Sequence, residues 1–200
     1  MTRTPLRRWA AGALGVLAAL AGCDRATDPP APTLDVTLTV QARQEAGALL
    51  IEYTLLNREQ KAIVAFTGVP RSETHEPGNV DLDAVYVTAR DDDKVEIAKR
   101  VFGLPKDLHP AVRFIVEGTI VPAGVSFGET VRVPLPLAAR RPYVSDATLP
   151  AQVRQAVFCV GVATEGTVQP EPQSATLFTH SDPVAAAQQL ICSDPFPVTP

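Results

Sequence analysis

From Leu34 to Val40 the chain reads Leu34-Asp35-Val36-Thr37-Leu38-Thr39-Val40. Strict alternation of this kind puts Leu34, Val36, Leu38 and Val40 on one face of a half-buried strand, and no helix carries that period. Leu49 to Leu56 and Ala62 to Phe66 follow across a Gly47-containing turn and a polar turn over Asn57 to Lys61, as two further antiparallel strands. The same grammar recurs in Leu82 to Ala89, Val95 to Phe102, Val112 to Val121, Phe127 to Leu137, Val153 to Val162 and Ala175 to Thr179. Proline, at 19 of 200 residues, is nearly twice its average usage of about 5% and argues against long helices. The expectation is an all-β, antiparallel sandwich of about seven to nine strands, with one short C-terminal helix over Pro183 to Leu190.

The N-terminus is built differently. Arg3, Arg7 and Arg8 precede an uncharged run from Trp9 to Gly22 that is rich in Ala, Leu and Gly, the layout of an export signal. At 14 residues the run is shorter than the roughly 17 to 25 that span a bilayer as a helix. Leu20-Ala21-Gly22-Cys23 resembles the lipobox of bacterial lipoproteins. The resemblance implies cleavage after Gly22, so that residues 1–22 are a signal peptide, and acylation of Cys23 as the first mature residue. Several acyl chains, each buried CH₂ contributing about 0.8 kcal/mol, make a stable anchor. Asp24 resembles the inner-membrane retention signal of enteric lipoproteins, while Arg25 departs from it, and the choice of membrane stays open.

Beyond Cys23, residues 24–33 read DRATDPPAPT, a solvated tether of polyproline II character with a reach of roughly 30 Å at about 3.1 Å per residue. Residues 34–200 are then one domain with a real core. Once the leader is gone, 15 Lys+Arg face 22 Asp+Glu, a net charge of −7. That balance argues against nucleic acid, and against polybasic lipid binding, as the main role.

Val121-Pro122-Ala123-Gly124-Val125-Ser126, followed by alternating Val131, Val133 and Leu135, resembles the Pro-Gly turn that opens a strand in immunoglobulin-like envelope domains. The resemblance implies a sandwich of that type used for binding or spacing. The Cys…Trp…Cys signature of antibody domains is missing, since Trp9 is the sole tryptophan. With Cys23 acylated, Cys159 and Cys192 remain, and in an oxidising compartment they are expected to pair.

Gly124-Val125-Ser126-Phe127-Gly128 matches the G-x-S-x-G nucleophile elbow. It is followed by a β-alternating stretch broken by Pro134 and Pro136 rather than by a helix, so no catalytic residue is assigned. A small serine hydrolase using Ser126, with His180 and Asp146 or Asp182, is the alternative, and a protease-inhibitor-like module presenting a loop is another. Asp91-Asp92-Asp93, near Asp81 and Asp83, lacks EF-hand spacing and reads as a hairpin turn rather than a calcium site. His75, His109 and His180 lack metal-ligand spacing and read as solvated loop residues; no metal or other cofactor is expected. Two irregular stretches remain, Gly68 to Asn79 and Ala138 to Pro150. In the second, Arg140, Arg141 and Tyr143 combine cations with an aromatic ring, the composition of recognition surfaces. The reading that results is a lipid-anchored protein facing the periplasm, with another envelope protein as partner, acting as a non-catalytic binding or assembly module.

Overall fold

A computed structural model describes residues 33–71, 79–110 and 113–199. The expectations for the leader, Cys23, the tether up to Pro32 and His75 lie outside these residues. Along the chain run β1 (Val36–Glu45), β2 (Ala48–Asn57), β3 (Ile63–Pro70), β4 (Val80–Asp81), β5 (Tyr86–Ala89), β6 (Lys94–Lys99), β7 (Ile115–Val121), β8 (Ser126–Pro134), β9 (Gln155–Thr164), β10 (Leu177–Thr179), α1 (Asp182–Ala187), β11 (Gln189–Cys192) and β12 (Phe196–Pro197). The fold is all-β, as expected from the alternation.

One sheet has the order β1-β2-β8. Its β1–β2 hairpin turns at Gly47, whose φ of +73° is a conformation that glycine adopts without steric cost. The larger sheet runs β10-β7-β3-β9-β6-β5, with β11 and β12 added on β9 and β4 on β3. Val160 pairs with both Lys99 of β6 and Ile191 of β11, and Val162 with both Ala65 of β3 and Gln189 of β11. A strand residue has one ladder neighbour on each side, so β11 borders one edge of β9 while β6 and β3 share the other.

Three expectations need correction. β6 and β9 pair in parallel, Lys94 with Gln155 through Lys99 with Val160, so the sandwich is not wholly antiparallel. The third strand leaves the β1–β2 hairpin for the opposite sheet, because Ile63 to Ala65 pair with β9 and Ile63 to Gly68 with β7. The described strands also outnumber the seven to nine expected, through the short β4, β10, β11 and β12, which gain their pairing only from the larger sheet.

The core lies between the sheets. Leu49, Ile51, Tyr53 and Leu55 of β2 face Ile97 of β6 and Phe158, Val160 and Val162 of β9. Fully burying each such side chain stabilises by about 1.5–3 kcal/mol relative to exposure. A second cluster, with Val64, Phe66, Tyr86, Phe102, Phe178 and Val184, covers the outer face of the larger sheet. β3 is therefore buried on both faces along its whole length, which explains why Ile63 to Phe66 reads as an unbroken apolar run rather than an alternation.

The expected helix is cut short. Pro183 sits in the first turn of α1 and Ser181 is its N-cap residue, but Gln188 returns to extended backbone, and Gln189 to Cys192 become β11. Pairing with β9 outweighs helix propensity there, and a disulfide between the directly opposed Cys159 and Cys192 seals the pair. The bridge encloses a sequence separation of 33 residues. Its removal by Cys159→Ser with Cys192→Ser is expected to lower unfolding free energy by about 2–4 kcal/mol in the chain-entropy account. A urea titration compared with that of the oxidised wild type measures the difference, and identical midpoints would contradict it.

Candidate functional site

The G-x-S-x-G stretch lies at the turn and start of a hairpin strand. Ser126 is the first, exposed residue of β8 and pairs with Leu56. Gly124 has φ +72° in the turn closed by Val125 N–H on Pro122 O at 3.1 Å. At Gly128 a Cβ would lie 2.9 Å from the Tyr53 carbonyl. Both motif glycines thus answer to the backbone of this hairpin, and no helix follows the serine.

His180 is not the solvated residue expected: it is fully buried. Its Nδ1 accepts the Phe102 N–H at 2.8 Å, so the neutral ring carries its proton on Nε2 and donates it to the Tyr86 hydroxyl at 2.6 Å. Its own backbone N–H is donated to Phe114 O at 3.0 Å. Both ring nitrogens of His180 are thus engaged in structural hydrogen bonds. Burial, assisted by the Arg100 charge, pushes the imidazole down to about 3.

The segment from His180 to Gln188 acts as a strap over residues 101–104. Asp182 Oδ1 accepts the Leu104 N–H at 2.9 Å. Gln188 accepts the Val101 N–H at 3.0 Å and returns its Nε2 to Val101 O, so one side-chain amide replaces a missing strand partner. The adjacent Gln189 accepts the Leu34 N–H at 2.7 Å. The strap and residues 101–104 therefore lie at the end of the sandwich where β1 begins.

Around the strap sits the aromatic and cationic group of which Arg140, Arg141 and Tyr143 are part. Arg140 is half-buried: it pairs in both directions with the Val87 backbone, donates to the Val85 and Pro70 carbonyls, and lies over the Tyr86 ring at 5.5 Å. Tyr143 adopts φ +63°, a left-handed conformation that is uncommon outside glycine. Its hydroxyl accepts the Phe114 N–H at 3.0 Å, and its ring packs on Phe114 and His180. Two of the three residues thus fasten the segment to the sandwich. Arg141 remains exposed, its guanidinium 5.3 Å from the centre of the Phe102 ring, and Arg100 lies 4.6 Å from the same centre.

A second polar group joins the two sheets. Lys99 of β6 has a fully buried side chain; its Nζ donates to Glu129 Oε2 at 2.8 Å and to Leu82 O at 2.5 Å. The Tyr53 hydroxyl donates to the same carboxylate oxygen at 2.6 Å. Burial pulls the Lys99 ammonium down against the opposing Glu129 charge, and burial together with Glu129 pushes the Tyr53 phenol up. Sequence reasoning missed this triad, although a signal was present. Lys99 is in phase with Val95 and Ile97, and Glu129 with Phe127, Val131 and Val133, so each charge occupies an inward position.

The aspartates behave as expected of turns. Asp91 and Lys94 exchange backbone hydrogen bonds of 3.4 Å at the β5–β6 hairpin, and Asp93 O accepts the Arg154 N–H at 2.9 Å. Asp81 accepts Arg71 Nε at 2.8 Å and the Asp83 N–H at 2.9 Å. His109 is exposed, as expected. Among the described residues no three His, Cys, Asp or Glu side chains converge on a metal position. At the opposite end of β1 a cleft of about 860 Å³ is lined largely by apolar residues, including Leu135, Leu137, Leu149 and Val153. Its arginine, Arg154, is hydrogen-bonded to Gln152 at 3.2 Å.

Compared with known families, curated proteins and solved structures, the chain has no match.

Proposed function

We propose that this chain is a lipid-anchored lipoprotein of the bacterial envelope, acylated on Cys23, whose sandwich domain is a non-catalytic binding or assembly module. The observation that carries the reading is the division of labour around residues 140–143. Arg140 and Tyr143 clamp the segment to the sandwich through backbone and ring contacts, while Arg141 stays at the surface, a rigid mount for a residue type favoured at recognition hot spots. Chemistry is disfavoured by the company of Ser126: the buried histidine that could serve it has both ring nitrogens in structural hydrogen bonds. An all-β sandwich and a tether of roughly 30 Å fit the same role. In-cell crosslinking of the full chain, followed by mass spectrometry with Cys23→Ala as control, tests the reading. A reproducible envelope partner lost in the control is the expected result. Recovery of both forms without any partner would contradict it.

A further inference from the structure

Arg100 and Arg141 lean on one aromatic ring, that of Phe102, which is 8% exposed and held edge-on against Tyr86 with ring centres 5.1 Å apart. Arg113, also at the surface, is close enough to Tyr143 to act on its phenol electrostatically. Elsewhere Arg43, Arg71 and Arg132 sit in ion pairs, while Arg58, Arg90 and Arg154 are exposed without one and have no aromatic ring beneath them among the described contacts. Among the described residues the Arg113 and Arg141 side chains donate no hydrogen bond and form no ion pair, while Arg100 gives Nη1 to Glu96 at 3.0 Å and leaves its buried Nε without an acceptor. A domain of net negative charge thus carries a local excess of guanidinium forks on a fixed platform.

We propose that Arg141, beside Arg100 on the Phe102 ring, binds side-chain carboxylates of an acidic segment in the partner protein; this rests on the binding-module reading above. The guanidinium fork matches a carboxylate through two parallel hydrogen bonds, and stacking on Phe102 restricts the fork before the partner arrives, which reduces the ordering cost of association. The arginines here fall short of the four to eight basic residues of a lipid-binding cluster. A protein carboxylate is therefore favoured over a lipid phosphate.

The test uses the full chain purified in detergent, with fluorescently labelled hexaglutamate as probe and hexaglutamine as control. Hexaglutamate is expected to bind and hexaglutamine not. Arg141→Glu should weaken binding at least tenfold and Arg141→Lys by a smaller factor, while Arg132→Glu, on an arginine paired with Glu45, leaves it unchanged. Equal binding of the two peptides, or equal losses from Arg141→Glu and Arg132→Glu, would overturn the proposal. Binding to phosphatidylglycerol vesicles but not to hexaglutamate, lost in Arg141→Glu, would overturn it in favour of a lipid. In cells, a crosslinked partner that persists in Arg141→Glu overturns this surface yet leaves the module reading intact. Peptide binding that depends on Arg141, without any crosslinked partner, supports the surface and removes the module reading instead.

Discussion

Glu129→Ala is expected to lower unfolding free energy by about 3–5 kcal/mol, because it leaves the fully buried Lys99 ammonium without its counter-charge. The Coulomb attraction within such a pair only offsets the cost of bringing both charges out of water. Removing one partner therefore exposes the whole desolvation penalty of the other. Tyr53 adds to the effect, since its hydroxyl also loses its acceptor. Replacing both charges, as in Lys99→Met with Glu129→Leu, is expected to recover most of the loss by extending the apolar contact between the sheets. Urea titrations of the single and double variants measure this. If the double variant is as unstable as Glu129→Ala, the buried charge is not the cause.

Acidification is expected to destabilise the fold between about pH 6.5 and about 3 through His180. The sign follows from the lowered native pKa. Above 6.5 the imidazole is neutral in both states and its contribution is fully present. Between the two values the unfolded chain binds a proton that the native state refuses, so stability falls with pH, with a limiting slope of about 1.4 kcal/mol per pH unit. Below about 3 the native ring is protonated as well and the loss from this group is complete. A protonated Nδ1 can no longer accept the Phe102 N–H, and the new charge faces Arg100, so the strap over residues 101–104 is where opening begins. Carboxylates also titrate in this range. The measurement is therefore a difference: stability of wild type and His180→Gln at several pH values from 7 to 4, with the variant's dependence shallower by one proton. Parallel curves would show that His180 does not contribute.

The two central groups differ in how far they could be read from the chain. Lys99 and Glu129 each break an inward-facing apolar row, Val95-Ile97-Lys99 and Phe127-Glu129-Val131. A buried charge at such a position must find a partner, so a bridge across the core was readable in principle. What the rows do not state is that the two strands face one another across the sandwich. His180 is harder. It falls in phase with the buried Phe178, one residue beyond the stretch that reads as a strand, and its neighbours Ser181, Asp182 and Pro183 have loop character. Its burial depends on residues far along the chain, Phe102 and Tyr86, coming to the same place. The segment 138–150 presents the same difficulty, because composition identified Arg140, Arg141 and Tyr143 without distinguishing the two that clamp from the one that stays exposed.

By itself the sequence determined what local physics determines. Alternation dictated strands, Gly47 and Gly124 dictated turns where a left-handed backbone is needed, and two cysteines beyond Cys23 were enough to expect the Cys159–Cys192 bridge that the structure contains. Tertiary structure decided the long-range matters: that β3 crosses to the second sheet, that β6 and β9 run parallel, that the residues after Gln188 leave the helix for a strand, and that His180 is buried. The physical reason is that period and turn chemistry act between residues a few positions apart. The choice of neighbouring strand depends on which apolar faces and backbone hydrogen-bonding groups, from segments up to 155 positions apart as in the Leu34–Gln189 and Gln44–Thr199 contacts, are satisfied together.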